Sequence, residues 1–163
     1  MNTPKRYNPA LVTLHWLTVI VMFGAGFLSE EEGNSPISIH MVLGALLLLL
    51  FVVRIIVRLA TRQPEAADTG NRLLNQLSGL VHLGLYLGMG FILALGGLIA
   101  YQRNLLGYLL GNGAVTEGIR FIQKIHHLGW IMAMGLILLH VGAALYHQFI
   151  LGDNLLTRMW YGS

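Results

Sequence analysis

Four long apolar segments dominate this sequence and restrict what it can fold into. They run roughly over residues 10–29, 37–60, 79–101 and 124–150. Each is long enough to cross about 30 Å of hydrocarbon as one α-helix. Only 10% of the residues are charged, whereas a soluble domain carries about a quarter. We therefore predict an all-α, integral membrane protein, with residues 1–163 forming a single domain folded as an antiparallel four-helix bundle.

The distribution of Lys and Arg predicts the orientation of this bundle. If the N-terminus is inside, seven of the ten basic residues fall on the inner side and three on the outer side. Because Lys and Arg are enriched on the cytoplasmic side of membrane proteins, we expect both termini in the cytoplasm. The inner set is Lys5, Arg6, Arg54, Arg58, Arg62, Arg72 and Arg158, and the outer set is Arg103, Arg120 and Lys124.

Cysteine content and charge pattern exclude several classes of protein. With no cysteine, the chain cannot form a disulfide framework, ligate an iron–sulfur cluster or attach haem covalently. The pI near 9.5 would suit a nucleic-acid partner, but the basic residues form no run and instead flank the apolar segments. Membrane lipid, and no nucleic acid, is therefore the expected partner. The first segment lacks an A-x-A cleavage site, so we expect a retained helix.

Four histidines lie in the spans at matching depths. His126 and His140 are fourteen residues apart. That is almost four helical turns, so both imidazoles face the same way about 21 Å apart along the axis. On antiparallel helices, His15 falls at the inner depth with His140, and His40 falls at the outer depth with His126. The sequence therefore predicts two pairs of axial ligands, each for the iron of a b-type haem.

Ionisable side chains within a span are costly and mark functional sites by default. A haem iron with two histidine ligands has no open position, so it transfers electrons and does not bind oxygen. Two other interpretations stay open. Each histidine could simply be a satisfied packing residue, or the set could bind zinc or copper. The metal alternative lacks carboxylates within the spans and lacks an i, i+4 histidine pair.

Three further histidines have less certain roles. His127 rivals His126, but its thirteen-residue separation from His140 turns these two side chains toward nearly opposite faces, so we choose His126 as the ligand. His147 and His82 both lie on the inner side. Each is interpreted either as an interfacial histidine or as a group that binds a quinone carbonyl or relays a proton.

Two arginines and one glycine complete the predicted cofactor sites. Arg54 lies fourteen residues after His40, on the same face and at the inner depth, and Arg58 is one turn further. We predict that both bind haem propionates, since a planar guanidinium pairs well with carboxylates. Snorkelling toward the headgroups is the alternative. Gly44, one turn after His40, would leave room for a porphyrin ring, although close helix packing explains it equally well.

Several stretches of the chain resemble the bacterial cytochrome b561 family, in the same order and over nearly the full length. The resemblance implies a four-helix protein of the bacterial inner membrane that holds two haem b groups. Carried over residue by residue, it places the haem ligands at His15, His40, His126 and His140. The matching stretches include Leu14-His15-Trp16-Leu17, Ile39-His40-Met41-Val42-Leu43-Gly44, Ile125-His126-His127-Leu128-Gly129 and Leu139-His140-Val141-Gly142.

The same resemblance implies an activity. Members of the family exchange electrons with quinone, and some oxidise superoxide at the outer face and pass the electron to ubiquinone. We therefore expect an oxidoreductase in which superoxide gives an electron to the outer haem, the inner haem receives it, and ubiquinone accepts it near His147. One departure concerns the loop after the second span, which contains Glu65 and Asp68 but no lysine, unlike the loops of superoxide-oxidising relatives.

A second function is implied by a related group of proteins. These serve as membrane subunits of hydrogenases or formate dehydrogenases and dock an iron–sulfur partner. In that case the outer basic residues Arg103, Arg120 and Lys124 would bind an acidic redox partner protein. Such subunits are usually longer than 163 residues, which favours a stand-alone protein here.

Overall fold

The computed structural model describes residues 6–28 and 38–161. Within those ranges every regular element is helical, and four helices are long and apolar enough to cross a membrane, which confirms the predicted all-α bundle. The acidic connection at 30–36 lies outside the described residues. The elements are α1 (Pro9–Phe27), α2 (Ile39–Ala60), α3 (Arg72–Gln102), a short α4 (Leu105–Leu109) and α5 (Arg120–Tyr146), followed by a π-helical turn (His147–Leu151) and a 3-10 helix (Leu155–Met159).

Helix α3 begins seven residues earlier than the apolar pattern predicts, at Arg72. The reason is its N-cap, because the Asn71 side chain accepts a hydrogen bond from the backbone N–H of Leu73 at 2.9 Å. Asp68 then accepts hydrogen bonds from the Asn75 side chain and the Gly70 backbone, and these bonds hold the pKa of the Asp68 carboxyl below its usual value. Polar residues that suggested a loop therefore start the helix.

The four spans pack mainly as two hairpins. Helix α1 lies along α2, and α3 lies along α5, whereas α2 and α3 approach each other less closely. All four contribute to one apolar layer midway along the bundle, which excludes water from its centre. The buried residues of this layer are Val21, Met22, Leu47 and Leu93, and the residues packed around them include Leu43, Phe51, Met89, Trp130, Met134 and Ile137.

The C-terminal 3-10 helix and the residues after it close the bundle on the side where α1 begins. The Trp16 indole donates a hydrogen bond to the Met159 carbonyl at 3.1 Å, and the Thr13 and Tyr161 hydroxyls lie 2.6 Å apart. The Arg158 guanidinium donates to the Glu65 carbonyl at 3.0 Å. The start of α1, the loop before α3 and the C-terminal segment therefore lie on the same side of the bundle.

A close approach between α1 and α5 depends on a glycine. A Cβ at Gly26 would overlap the ring of Trp130, whereas a Cβ at Gly88 on α3 would meet no atom within 4 Å. We expect Gly26→Ala to destabilise the fold by about 1–3 kcal/mol, because the Trp130 ring must move. The matched control Gly88→Ala should leave stability unchanged or raise it slightly. Thermal unfolding in detergent compares the two, and equal melting temperatures would contradict this packing.

Candidate functional site

Two histidine pairs form between the hairpins, at two levels of the bundle. The ring centroids of His15 on α1 and His140 on α5 lie 6.4 Å apart, with an interplanar angle of 73°. Those of His40 on α2 and His126 on α5 lie 6.0 Å apart, with an angle of 89°. The structure thus brings together the same partners that share a depth in the sequence argument. The apolar layer lies between the two levels.

Both pairs have the spacing that two axial ligands need. A bond from a metal to an imidazole nitrogen is about 2 Å long, so two imidazoles on opposite sides of one metal have ring centres about 6 Å apart. The observed 6.4 and 6.0 Å agree with that separation. The described residues contain no group of three or more His, Asp or Glu suited to a bare metal ion. Each histidine pair therefore has a spacing that suits a single metal held between two imidazoles.

The outer pair is oriented by backbone carbonyls. His40 Nδ1 lies 2.7 Å from the Ala25 carbonyl oxygen, and His126 Nδ1 lies 3.0 Å from that of Ile92. Because a carbonyl oxygen only accepts, each Nδ1–H must donate, and each Nε2 keeps its lone pair. Histidines that bind metals usually show this arrangement, which fixes both the tautomer and the ring direction. Each outer ring therefore keeps an Nε2 lone pair that is available to a metal.

The inner pair is arranged differently. Arg54 Nη1 donates to His15 Nδ1 at 2.8 Å, and its Nε lies 3.4 Å from the Tyr86 hydroxyl. A guanidinium has only donors, so the neutral His15 ring carries its proton on Nε2. Binding of iron through His15 Nε2 would require Arg54 to release Nδ1. Arg58 lies over the Tyr86 ring, 5.5 Å from its centroid, so both arginines reach the inner level predicted for them.

A third histidine stands beside the inner pair. The His82 ring centroid is 5.0 Å from that of His140, and His82 Nδ1 donates to the Ser78 carbonyl at 2.8 Å. The sequence predicts that His82 lies on the inner side but does not predict its contact with His140. A separation of 5.0 Å is shorter than one metal between two imidazoles requires, which leaves His15 as the better partner of His140.

Small residues leave room around the outer pair. A Cβ added at Gly44 would meet no atom within 4 Å, whereas one at Gly96 would lie 3.3 Å from Cε1 of His126. Space beside Gly44 agrees with a planar cofactor next to His40, and Gly96 lets His126 reach its position. His127 is exposed.

His147 is the buried polar residue of the described chain, with 5% of its surface exposed. Its Nδ1 lies 2.6 Å from Oδ2 of Asp153, a residue that sequence reasoning assigned no role. Six residues separate the two, so regular helical periodicity would not have paired them. Asp153 therefore supplies a carboxylate to His147, the inner histidine for which the structure describes no contact with another histidine.

Comparison with known proteins agrees with this geometry. A family model described as prokaryotic cytochrome b561 matches residues 6–162. The probable superoxide oxidase CybB of Yersinia pestis is 27% identical over 168 residues, which cover 95% of this chain and 96% of that protein. Cytochrome b562 of Cereibacter sphaeroides is 28% identical over 98% of each chain. Cytochrome b561 homolog 2 of Escherichia coli is 29% identical, covering 97% of this chain and 93% of the homolog.

The adjacent pair His126 and His127 offers a direct test of the outer site. If each histidine pair holds one haem, replacing His126 with Ala should remove about one of two haems, because the partner of His40 is lost. The matched control His127→Ala should keep both haems, since that side chain is exposed. Pyridine haemochrome assays on the purified variants measure the haem per chain. Loss of haem in His127→Ala but not in His126→Ala would contradict the assignment.

Proposed function

The chain belongs to the prokaryotic cytochrome b561 family, and from this premise we propose that it holds two haem b groups, oxidises superoxide at the outer face of the bacterial inner membrane and reduces ubiquinone at the inner face. Family membership itself establishes haem b binding and electron transfer in a bacterial membrane. The number of haems, the electron donor and the electron acceptor are the parts proposed here.

The observation that carries the proposal is the presence of two histidine pairs at two levels. We assign His15 and His140 as ligands of the inner haem, and His40 and His126 as ligands of the outer haem, at centroid separations of 6.4 and 6.0 Å. When bound, haem ligated by two histidines supplies one-electron transfer without an open metal position. The apolar layer between the levels keeps the path free of water.

Arg54 has a defined part in this assignment. Once it releases His15 Nδ1, its guanidinium remains at the inner level, anchored near the Tyr86 hydroxyl. Such a group suits a haem propionate, and Arg58 against the Tyr86 ring would add a second positive charge. Both arginines thus hold the inner cofactor by its carboxylates.

The outer side carries local positive charge near the outer pair. Lys124 is two residues before His126, Arg120 begins α5, and both are exposed. Superoxide is a small anion that such charges attract. The acidic residues Glu30, Glu31, Glu32 and Glu117 make this side net negative, so attraction must come from the basic residues close to His126. The Yersinia pestis relative named a probable superoxide oxidase supports this choice of substrate.

The inner side offers groups that handle protons. Reduction of ubiquinone to ubiquinol consumes two electrons and two protons, so the acceptor site needs a proton donor. His147, buried and close to the inner end of α5, is our choice for the group that binds a quinone carbonyl, and His82 is the second. The α2–α3 loop contains no lysine, so in this proposal histidine and arginine side chains would bind and protonate the quinone.

A docking role for an iron–sulfur partner remains the second hypothesis. The Yersinia pestis relative bears the name of a probable superoxide oxidase, which supports an oxidoreductase with its own substrate. Stoichiometric co-purification of a hydrogenase-like partner would support docking.

The superoxide assignment predicts a fast, salt-sensitive reaction. Stopped-flow mixing with pulsed superoxide should reduce the haems at about 10⁸ M⁻¹ s⁻¹, falling as salt screens the attraction. Lys124→Glu should slow this step about tenfold, because it reverses a charge beside the outer pair. The control Arg72→Glu, on the opposite side, should leave the rate unchanged. Reduction no faster than that of an unrelated b-type cytochrome would rule out superoxide as the donor.

The proposed orientation has its own test. We propose that both termini lie in the cytoplasm, which the seven inner against three outer basic residues support. Alkaline phosphatase, which is active only in the periplasm, should therefore be inactive when fused after residue 163 and active when inserted within 30–36. An active C-terminal fusion would invert the assignment of the haem pairs to membrane faces.

A further inference from the structure

Asp153 reaches His147 because the chain leaves α-helical geometry there. Residues six apart in an α-helix differ by about 240° beyond a whole turn, which turns their side chains to different faces. Here a π-helical turn covers His147–Leu151, and Gly152 adopts a left-handed conformation with φ 68°. The Asp153 N–H then donates to the His147 carbonyl at 3.3 Å. π-Helical turns often mark functional sites, and this one folds the chain back onto a buried histidine.

The Asp153 carboxylate is held at both oxygens. Oδ2 accepts from His147 Nδ1 at 2.6 Å, and Oδ1 accepts from the Leu155 backbone N–H at 3.1 Å. Its side chain is 28% exposed, while that of His147 is 6% exposed. The carboxylate therefore lies at the edge of the protein, in a fixed position, with the imidazole buried behind it. A neutral His147 keeps its proton on Nδ1 and its lone pair on Nε2.

The described contacts of the His147 ring are with one aromatic ring and one carboxylate. On α5, the Tyr146 ring lies 6.4 Å from the His147 ring. On the 3-10 helix, the Arg158 guanidinium donates to the Glu65 carbonyl. Among the described residues, Asp153 is the carboxylate that forms an ion pair with a histidine. Its carboxylate is therefore the charged group in direct contact with the His147 ring.

We propose that Asp153 is a positioning residue for proton delivery to ubiquinone. It fixes the His147 ring through Nδ1 and stabilises the protonated ring, which then donates its Nε2 proton to a quinone carbonyl oxygen. Two electrons from two superoxide ions, which leave as two molecules of O₂, and two protons convert the two carbonyls of ubiquinone into the two hydroxyls of ubiquinol. One proton comes from His147 Nε2 and the other from cytoplasmic water, which also reprotonates the ring. This inference rests on the proposed quinone site at His147.

The test uses purified, haem-loaded protein that has been reduced with dithionite and freed of the excess. Haem reoxidation is followed after mixing with short-chain ubiquinone or with ferricyanide, which takes electrons without protons. Asp153→Asn should slow reoxidation by ubiquinone about 10- to 100-fold, the range typical for loss of an orienting group. Reoxidation by ferricyanide should be unchanged. The control Asp68→Asn removes a carboxylate from the same side and should match the wild type with both acceptors.

The charge of the side chain at position 153 separates orientation from folding. An asparagine oxygen can still accept from Nδ1–H, but it carries no charge to stabilise a protonated ring. Asp153→Asn should therefore remain slow with ubiquinone while it reacts normally with ferricyanide. Asp153→Glu restores the charge from a longer side chain, so it should react with ubiquinone at an intermediate rate. It also serves as the test if the asparagine variant does not fold.

Two results would overturn the inference in different ways. If His147→Gln slows the ubiquinone reaction while Asp153→Asn and Asp153→Glu retain the wild-type rate, Asp153 has no such role and the quinone site at His147 stands. If His147→Gln itself reacts with ubiquinone as the wild type does, the quinone lies elsewhere, and both this inference and that part of the proposed function fail.

Discussion

An imidazole inside hydrocarbon needs a partner for each ring nitrogen, because no water is present to satisfy it. His40 and His126 meet half of this need within their own hairpins, where each Nδ1–H donates to a carbonyl of the neighbouring helix. The second nitrogen of each ring, Nε2, is left to bind a group in the space between the hairpins. A group bound there by both rings would satisfy them and would join two hairpins that share few direct contacts near their helix ends.

The apolar layer separates the two levels of histidine pairs. Fourteen residues on α5 separate His126 from His140, about 21 Å along the axis, and the buried residues between the two levels carry no polar side chain. In the proposed function, electrons pass between cofactors at these two levels across a layer of apolar side chains. The proposed proton chemistry belongs to the end of the bundle where His82 and His147 lie.

Helical periodicity and depth were enough to predict the spans and the two histidine pairs, because both follow from the rise and turn of an α-helix. The rest depends on departures from that regularity. Asn71 and Asp68 suggested a loop, yet Asn71 caps α3 and Asp68 accepts a hydrogen bond from Asn75 within it. Asp153 meets His147 only through a π-helical turn and a left-handed glycine. The approach of His82 to His140 depends on how closely α3 packs against α5. Periodicity within a single helix does not predict that distance.

Backbone carbonyls orient the outer histidines, and this has a consequence for substitutions at the positions that supply them. The carbonyls of Ala25 and Ile92 are present whatever side chains those positions carry. Substitution at either position leaves the acceptor in place as long as the helix stays straight. The orientation of the two outer rings in this chain is therefore independent of which side chains occupy positions 25 and 92. A kink in α1 or α3 that moved either carbonyl would remove the acceptor.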